Sequence, residues 1–419
     1  MTKLNELIQQ LCPDGVEYKT LGSFATISRG GDFQKKDFRD DGFPCIHYGQ
    51  IYTKYGLFVD KTVSFISPAC ASKQKTASKN DIIMAVTSEN IEDVCKCLVW
   101  LGDGEVAVSG HSAIIRHSQN PKYLAYYFHS RMFFDQKRKL AHGTKVIEVT
   151  PDKLASVKIP LPPIEVQREI VRILDNFTEL TAELTAELTA RKKQYEYYRD
   201  KLLTFDVFGG GTNRLEWKTL GESIISLSTG LNPRQFFKLN TEDAKNYYVT
   251  IREIQNGTIV FSEKTDRIND EALSLCNNRS HLEVGDVLFS GTGTIGETAI
   301  VSEVPTNWNI KEGVYAIKPK RELLNSRYLM YLLRTRYMQL AISKKVAGGT
   351  VKSIPMGDMR KLQIPVPDIT VQESIVSILD HFDALCNDLT SGLPAEIAAR
   401  QKQYEYYRDK LLTFKELGA

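Results

Sequence analysis

The stretch RKKQYEYYRDKLLTF, from Arg191 to Phe205, decides the fold because it returns as RQKQYEYYRDKLLTF from Arg400 to Phe414. Fourteen of the fifteen positions are identical at a distance of 209 residues. Upstream of each copy, IPLPPIEVQREIVRILDNF (Ile159 to Phe177) is matched by IPVPDITVQESIVSILDHF (Ile364 to Phe382). A repeat of this length identifies the chain as a tandem duplication.

Farther from these copies, the same order of segments is kept in both halves. EYKTLG (Glu17 to Gly22) stands before the first globular region and EWKTLG (Glu216 to Gly221) before the second. The globular regions have diverged, although NDIIMA (Asn80 to Ala85) still parallels GDVLFS (Gly285 to Ser290), both predicted as strands entered through a turn. We infer that the helices perform one task twice, whereas the globular regions perform two different tasks of one kind.

The segment after the IPLPP turn is predicted to be one long amphipathic helix. Apolar side chains recur at spacings of three, four and seven residues from Val166 to Phe205, which makes one stripe. A helix of about forty residues is roughly 60 Å long, too long for burial in one small domain. We therefore expect it to pair with its copy as antiparallel, coiled-coil-like helices. Gly392 and Pro394 are predicted to break or kink the second helix.

The first helix contains a four-residue unit in tandem. Thr-Ala-Glu-Leu occupies 181–184 and again 185–188. One further unit would lengthen a helix by about 6 Å and rotate the residues beyond it by about 40°. The unit is either a spacer element or merely a run of good helix-forming residues.

These patterns predict an α+β fold with an internal pseudo-twofold repeat, in which two mixed α/β domains alternate with two long helices. The predicted segments, in chain order, are a globular domain at 1–160, a helix at 161–206, a linker at 207–213, a globular domain at 214–365 and a helix at 366–414.

The composition is that of an ordinary globular protein, with 42% hydrophobic and 25% charged residues among 419. No apolar run predicts a membrane span, and MTKLNELIQQLCPDG lacks the apolar block of a secretion signal, so we expect a cytoplasmic protein. The seven cysteines show no paired spacing, which favours small buried thiols over disulfides or zinc. The net charge of +3 permits nucleic-acid binding without indicating it.

The sequence offers no catalytic constellation. Gly291-Thr-Gly-Thr-Ile-Gly296 has the GxGxxG spacing, but Glu297 stands where a P-loop needs lysine, and a strand is predicted where a dinucleotide-binding fold needs a helix. We therefore predict a strand-connecting turn there. The seven histidines show no metal-binding spacing, so we predict neither a metal site nor an enzyme.

Basic residues surround one loop in each half, where LysLeuAlaHisGlyThr at 139–144 parallels LysValAlaGlyGlyThr at 345–350. Glycine permits close approach of the backbone to a phosphate, threonine and amides bind it, and lysine neutralises it. The alternative is a solvated basic helix face. For a nucleic-acid ligand, the residues predicted to contact its backbone are Arg131, Lys139, Gly143, Thr144 and Lys145 in the first half, and Arg336, Lys345, Gly349, Thr350 and Lys352 in the second.

For a nucleic-acid ligand, the side chains that read bases are expected in the diverged parts of the two globular regions. Arginine and glutamine can make bidentate hydrogen bonds to guanine and adenine edges. The candidates are Gln50, Arg234 and Arg252, with Gln34, Lys35, Lys36 and Gln235 beside them.

The arrangement resembles the specificity subunits of type I restriction–modification systems. The resemblance is carried by the two IPxPxIxVQ segments (Ile159 to Gln167 and Ile364 to Gln372), by the two YEYYRDKLLTF ends, and by the strand at 285–290. It covers essentially the whole chain. The tandem Thr-Ala-Glu-Leu units look like the spacer of one subclass of the family. The break at Gly392 departs from a symmetric helix pair.

The resemblance implies a non-catalytic, sequence-specific DNA-binding subunit. The globular regions 1–160 and 214–365 would be target recognition domains that read the two halves of a split site on double-stranded DNA, and the helices would fix the gap. Two methyltransferase subunits and two restriction (translocase) subunits would complete the complex. The chain would need no cofactor of its own, because S-adenosylmethionine, ATP and magnesium would belong to the partner subunits.

The near-identity of the two helix ends exceeds what mutual packing of two helices requires. We therefore predict the methyltransferase contacts at these ends, in the first copy at Tyr195, Tyr198 and Arg199, and in the second at Tyr404, Tyr407 and Arg408. The alternative function is a tandem-repeat structural adaptor that binds proteins without recognising DNA.

Overall fold

The computed structural model describes residues 2–205, 215–388 and 390–418. The described residues divide into two compact units: unit 1 comprises Met1–Glu183 with Ile397–Ala419, and unit 2 comprises Leu184–Glu396. The division falls inside the tandem Thr-Ala-Glu-Leu segment. The predicted linker at 207–213 lies outside the described residues.

The first half of the chain alternates strands with short helices. Its strands are β1 (Tyr18–Thr20), β2 (Ala25–Arg29), β3 (Phe43–Ile46), β4 (Phe58–Val59), β5 (Ser64–Ile66), β6 (Thr76–Ala77), β7 (Ile82–Ala85), β8 (Thr87–Ser88), β9 (Cys97–Trp100), β10 (Val106–Val108), β11 (Ser112–His117), β12 (Ile147–Glu148) and β13 (Lys158–Pro160). Its helices are α1 (Thr2–Leu11), α2 (Leu21–Phe24), α3 (Tyr48–Thr53), α4 (Pro68–Ala71), α5 (Pro121–Phe128), α6 (Arg131–Leu140), α7 (Pro151–Ala155) and α8 (Ile164–Leu203).

The second half repeats this order with fewer elements. Its strands are β14 (Glu216–Thr219), β15 (Ile224–Thr229), β16 (Asn246–Val249), β17 (Ile254–Gln255), β18 (Thr258–Ile259), β19 (Arg267–Ile268), β20 (Val287–Ser290), β21 (Thr298–Ile300), β22 (Trp308–Ile310), β23 (Val314–Pro319) and β24 (Gln363–Val366). Its helices are α9 (Leu220–Ser223), α10 (Pro233–Phe236), α11 (Asp270–Ser280), α12 (Ser326–Leu333), α13 (Arg336–Ser343), α14 (Met356–Arg360), α15 (Ile369–Asn387) and α16 (Leu393–Leu411).

The main sheet has the same order of four strands in each unit, and unit 1 adds a fifth strand, β4, at the edge. Its strand order is β2-β11-β7-β9-β4 in unit 1 and β15-β23-β20-β21 in unit 2. Each unit also has a second sheet, with order β5-β3-β10-β6 in unit 1 and β19-β16-β22 in unit 2, and each of these sheets contains one parallel pair. The α+β prediction is therefore confirmed.

The NDIIMA and GDVLFS segments form the matching central strands β7 and β20, as predicted. Each strand is buried throughout because both faces of its sheet are covered. In β7, Ile82 and Met84 face the core under α5 and α6, whereas Ile83 and Ala85 face a separate core on the other side. The turns into the strands place Asn80 and Gly285 at positive φ, which glycine and asparagine tolerate best.

The repeated VQ motif clamps α5 and α12 to the proline turns. Gln167 is 1% exposed; its carbonyl oxygen accepts from the Asn120 amide at 3.1 Å, and its amide group donates to the Pro162 carbonyl at 2.9 Å. In unit 2, Gln372 repeats the bond with Asn325 at 2.9 Å and donates to the equivalent carbonyl at 2.8 Å. Buried amide groups with both functions satisfied fix the angle at which each long helix leaves its domain.

A buried tyrosine holds each long helix two turns farther along. The Tyr126 hydroxyl donates to Asp175 of α8 at 2.6 Å, and the Tyr331 hydroxyl donates to Asp380 of α15 at 2.6 Å. The hydrogen-bonded framework is thus duplicated along with the sequence, while the parts between have diverged.

The repeated YEYYRDKLLTF ends each dock on α6 or α13. The carboxylate of Asp409 accepts from the backbone amide of Arg131, the first residue of α6, at 3.1 Å. The carboxylate of Asp200 accepts in the same way from Arg336, the first residue of α13, at 3.3 Å. A carboxylate at a helix N-terminus satisfies an unpaired amide and complements the helix dipole.

The long helices are paired, as predicted. Phe177 of α8 stacks on Tyr407 of α16 in unit 1, with ring centroids 5.5 Å apart. Tyr198 of α8 stacks on Phe382 of α15 in unit 2 at 5.9 Å. From Phe177 to Tyr198 along α8, the contacted residue in the second copy moves back from Tyr407 to Phe382. The two helices are therefore antiparallel.

The two helices differ in continuity. Helix α8 runs unbroken for 40 residues through the Thr-Ala-Glu-Leu units. The second copy is divided into α15 and α16, and Gly392 and Pro394 lie at the break and in the first turn of α16. The predicted interruption is confirmed.

The GxGxxG segment is the predicted strand-connecting turn. Gly293 and Gly296 have φ of +79° and +109°, and the Gly296 amide donates to the Ser290 carbonyl at 3.0 Å. The next element is strand β21 and not a helix. All seven cysteines lie among the described residues and are free thiols, five of them buried. Within residues 2–205, 215–388 and 390–418, no helix combines the length and apolarity that a bilayer crossing needs.

One prediction concerns the joint between α5 and α6. Burial, with the nearby charges of Arg408, Lys137 and Lys96, lowers the pKa of His129 to about 4. The folded chain therefore binds fewer protons than the unfolded chain below the ordinary histidine pKa of about 6.5. The contribution of neutral, buried His129 to the free energy of unfolding is complete above pH 6.5 and is lost as the pH falls toward 4. Denaturant midpoints measured between pH 7.5 and 4.5 should fall more for the native chain than for His129→Gln; parallel curves would contradict this.

Candidate nucleic-acid interface

Each unit carries a short hairpin directly after α6 or α13. In hairpin 1 (residues 142–148), His142 and Glu148 exchange backbone hydrogen bonds of 3.0 and 2.8 Å. In hairpin 2 (residues 347–353), Ala347 and Ser353 exchange bonds that are both 2.8 Å. The equal loop length and bonding make the hairpins one structural element present twice.

A glycine sets the bend of each hairpin. Gly143 and Gly348 have φ of +104° and +111°, which disfavours any other residue. A Cβ added there would lie 1.9 Å from the Val146 carbonyl oxygen in hairpin 1 and 2.4 Å from the Val351 carbonyl oxygen in hairpin 2. Both glycines are therefore required by the backbone itself.

The hairpin geometry corrects the alignment of the two loops by one residue. The sequence matched Gly143 with Gly349, whereas the structure matches it with Gly348, so that Lys145 is equivalent to Thr350. The dipeptides Gly143-Thr144 and Gly349-Thr350 have the same sequence but occupy different positions in the two hairpins. A Cβ on Gly349 would meet no atom within 4 Å, so glycine is not sterically required there.

The tips of both hairpins are exposed. Val146 and Val351 are 58% and 61% exposed, although valine normally avoids solvent. Lys145 and Lys352 beside them are exposed and form no ion pair within the described parts of the chain. Exposed peptide groups next to uncompensated ammonium groups are suited to phosphate oxygens.

The other predicted backbone contacts spread along α6 and α13. Lys139 lies in the last turn of α6 next to hairpin 1, and Lys345 follows α13. Arg131 and Arg336 begin these helices, about 12 to 15 Å of helix away from the hairpins. The structure therefore gathers the lysines around the hairpins and leaves the two arginines beside the docked helix ends.

Gln50 is a correction to the predicted base-reading set. It is 8% exposed, accepts from the His47 amide at 3.0 Å and donates to the Ser64 hydroxyl at 2.7 Å, as part of the cap of α3. A side chain whose amide group is committed inside the domain cannot face a base edge. The sequence did not predict this role, because the hydrogen bonds of Gln50 to His47 and Ser64 form only when α3 packs inside the domain.

Arg252 and Arg234 are placed differently from each other. Arg252 is about half exposed, but its guanidinium forms an ion pair with Asp266 at 2.6 Å. Arg234 is exposed in the first turn of α10, and its backbone amide donates to the side chain of the N-cap residue Asn232. In the repeat it stands where Gln34 stands in unit 1, so both residues follow the glycine at the end of the first main-sheet strand.

A cleft opens in unit 1 where β2 ends. Cleft 1 measures about 410 Å³, and its side-chain lining includes Arg29, Asp32, Gln34, His47 and His111. The His47 ring lies 4.6 Å from Tyr48, which lies 4.9 Å from His111. Burial, Lys35 and His111 lower the pKa of His47, which keeps its imidazole neutral near pH 7. Its Nδ1 accepts from the Gly49 amide, so the proton is on Nε2.

A cleft lies at the equivalent place in unit 2. Cleft 2 measures about 550 Å³ and is lined by side chains that include Thr229, Asn232, Lys311, Glu312 and Val351. Lys311 and Glu312 are exposed and form no ion pair among the residues that the structure describes. The lining of cleft 2 therefore has a chemistry different from that of cleft 1.

A threonine joins the hairpin to the cleft in each unit. Thr87 pairs with Glu148 of hairpin 1, and its hydroxyl lies 3.2 Å from Nδ1 of His111. Thr292 forms a backbone bridge with Ser353 of hairpin 2 and lines cleft 2. Each hairpin and its cleft are thus neighbouring parts of one surface.

The sequence pattern did not reveal the residues at the turn after β10 and β22. None of His47, His111 and Lys311 was predicted as a contact, and the two histidines were considered only as possible metal ligands, together with the other five. The equivalence of the two turns rests on the parallel strand pairs β3–β10 and β16–β22, whose sequences share no motif. These residues can be matched between the units by the order of the strands, but not by their residue types.

The predicted partner-binding residues divide into inward and outward sets. Tyr195 is 6% exposed in the core of unit 2, Tyr404 packs against the core of unit 1, and Arg199 and Arg408 bind the neighbouring aspartates at 2.9 Å. Tyr195 is therefore corrected to a core residue. The inward residues are the same in the two copies because both helix ends dock in the same way, one on α6 and the other on α13.

The outward set of each helix end consists of a tyrosine with a lysine beside its ring. Tyr197 and Tyr406 are 59% and 61% exposed. The ammonium of Lys201 lies 5.6 Å from the Tyr197 ring, and that of Lys410 lies 5.7 Å from the Tyr406 ring. Tyr198 is 39% exposed, whereas its counterpart Tyr407 is partly buried against the core of unit 1.

Comparison with protein families gives one match across most of the chain. The model of the type I restriction modification DNA specificity domain matches residues 13–191 and again residues 207–399. The two matches coincide with the two halves of the duplication.

Two curated relatives show the same resemblance. A type I restriction enzyme specificity subunit of Escherichia coli is 38% identical over 267 residues, which are 61% of this chain and 63% of that protein's length. A putative type I restriction enzyme specificity subunit of Haemophilus influenzae is 32% identical over 325 residues, 74% of this chain and 77% of the relative.

Solved structures share the fold. One, from work on complex assembly and conformational transition of the type I restriction–modification system, has a TM-score of 0.64 at 20% identity and covers 96% of this chain and 98% of that one. The specificity subunit from M. genitalium has a TM-score of 0.51 at 15% identity, with coverages of 95% and 96%.

The hairpin glycines generate a prediction. Gly143→Ala and Gly348→Ala should each weaken DNA binding on all sequences and reduce its salt dependence, by about 0.9 in the log–log slope for each phosphate group that is no longer bound. Gly349→Ala is the matched control, because its added methyl group meets open space. Affinities would be measured by fluorescence anisotropy at several salt concentrations. Equal effects at 348 and 349, or none at 143 and 348, would contradict the assignment.

Proposed function

Because the chain belongs to the type I restriction–modification DNA specificity family, we propose that it selects the DNA sequence on which a methyltransferase and a restriction enzyme act. The observation that carries this proposal is the pairing of one duplicated framework with two different clefts. The bonds of Gln167 and Gln372 are the same, whereas His111 and Lys311 line the two clefts with different chemistry. A protein that recognises two different short sequences needs this combination.

We propose that the DNA site is split, with one half read by each unit. The duplication supplies two recognition surfaces, and the unbroken helix α8 belongs to both units. A helical connection of fixed length favours a fixed gap between the half-sites. The Thr-Ala-Glu-Leu units in this helix are proposed as the spacer that sets the gap.

The partners proposed for the chain are double-stranded DNA, two methyltransferase subunits and two restriction subunits. The proposal of two equal protein sites rests on the outward faces of the helix ends, which are identical although docking requires only the inward residues. Methyl transfer, with its S-adenosylmethionine, and DNA cleavage, with its ATP and magnesium, are assigned to the partners. An adaptor for proteins alone would have no use for two equivalent clefts with different linings.

The partner surface generates a prediction. The pair Tyr197→Ala with Lys201→Ala should remove one methyltransferase subunit from the complex, and Tyr406→Ala with Lys410→Ala should remove one as well. These side chains are exposed, so their loss should leave the fold intact. Native mass spectrometry of the co-expressed complex gives the subunit count.

Two comparisons control this experiment. Glu183→Ala, exposed on α8 outside the duplicated end, should keep both methyltransferase subunits. Tyr195→Ala should instead lower the unfolding temperature, because it empties a core position. Retention of both subunits in both double variants would rule out the helix ends as partner sites.

The spacer generates a second prediction, which tests the function as a whole. The chain co-expressed with its methyltransferase should methylate a split motif, read by methylome sequencing. A third Thr-Ala-Glu-Leu unit inserted after Leu188 adds about 6 Å of helix, against about 3.4 Å for each base pair. The gap should therefore grow by one or two base pairs while the bases of both half-sites stay the same.

The outcomes of the insertion are distinct. A complex that still assembles and methylates at the original gap would show that the helix is not a ruler. A native complex that methylates without any sequence motif would overturn the proposed function.

A further inference from the structure

Clefts 1 and 2 have the same backbone and different side chains. In each unit, the glycine after the first main-sheet strand lies against the end of the parallel strand of the second sheet. A Cβ on Gly30 would lie 2.5 Å from the Val108 carbonyl oxygen, and one on Gly230 would lie 1.7 Å from the carbonyl oxygen of the equivalent Ile310. The residue after each glycine forms a parallel bridge, Gly31 with Ser109 in unit 1 and Leu231 with Lys311 in unit 2.

The side chains on this shared backbone are not interchangeable. His111, an exposed imidazole, lines cleft 1 at the position that Gly313 occupies in cleft 2. Ser109, which is buried, is replaced in unit 2 by the exposed ammonium of Lys311. A small ligand common to both units would require matching side chains, whereas a common duplex shape with different base pairs would not.

Each cleft also lies next to the hairpin of its own unit. Thr87 connects hairpin 1 to His111, and Thr292 connects hairpin 2 to cleft 2. If a hairpin holds the sugar–phosphate backbone, base edges lie within several ångströms of it, at the depth of a groove. The neighbouring cleft then presents its side chains to those edges.

We propose that cleft 1 and cleft 2 are the base-reading sites of the two units, with His111 and Gln34 reading in unit 1 and Lys311 reading in unit 2. This inference rests on the proposed function and adds the residues that choose the sequence. Gln34 offers an amide that can bond adenine, and His111 offers its Nε2, since its Nδ1 is within hydrogen-bond distance of the Thr87 hydroxyl. Lys311 offers donors to guanine O6 and N7, and Glu312 beside it can accept from a cytosine amino group.

The hydrogen-bonding capacity of cleft 1 is set by its surroundings. The Nδ1 of His47 is occupied by the Gly49 amide, which leaves its Nε2 proton as a donor inside the cleft wall. The Arg29 guanidinium is held by Glu148 of hairpin 1, so it is positioned rather than free. His111 and Gln34 are exposed and are therefore the side chains best able to meet a base.

The test compares methylated motifs in the full complex with the methyltransferase. Lys311→Ala should relax one or more bases in one half-site by about tenfold or more in discrimination, the usual effect of losing a specific base contact. His111→Ala combined with Gln34→Ala should relax bases in the other half-site only. Arg279→Ala in unit 2 and Lys61→Ala in unit 1, exposed charges that line neither cleft, are the matched controls and should leave the motif unchanged.

Each outcome decides a different point. Unchanged motifs in both cleft variants, with the native complex still specific, would overturn the assignment of the clefts and leave the proposed function standing. A uniform loss of affinity on all sequences with a lower salt slope would make Lys311 a phosphate contact and would also overturn it. A native complex without any motif would instead overturn the function on which the inference rests. His111→Gln, which keeps a hydrogen-bonding side chain, should alter the preferred base and not merely relax it.

Discussion

The contact on which both units depend is the docking of a helix end that comes from the other half of the sequence. Asp409 satisfies the first amide of α6, and Asp200 satisfies that of α13. Tyr195 fills the core of unit 2 from α8, which begins in unit 1. Because each domain is completed from a distance, the two halves are mutually dependent, and the inward residues of the repeated ends cannot diverge independently.

This shared requirement separates what is fixed in the molecule from what is free to vary. The buried amides of Gln167 and Gln372, and the carboxylates that hold Tyr126 and Tyr331, are hydrogen-bonded inside the fold, so their replacement would leave buried polar groups without partners. The exposed side chains that line the clefts carry no such constraint, because water satisfies them when nothing is bound. Specificity can therefore change without loss of the fold.

The modest net charge of the chain agrees with this division. A charge of +3 gives weak attraction to DNA overall, and exposed lysines without ion pairs lie at the two hairpins. Gly143 and Gly348 set the bend of those hairpins. The proposed backbone contacts at the hairpins, beside clefts that differ in chemistry, would let specificity come from a few side chains.

The sequence by itself determined the duplication, the unbroken length of α8, the break at Gly392 and the turn at 291–296, because periodicity and backbone preference act between neighbouring residues. It also placed lysines around a glycine loop, although with the second loop displaced by one residue. Only the tertiary structure decided that Gln50 is a cap, that Tyr195 faces inward while Tyr197 faces out, and that the turn after β10 lines a cleft with the end of β2. These depend on segments far apart in the chain, which meet only when parallel strands pair and a helix end docks, and no local pattern of residues records that meeting.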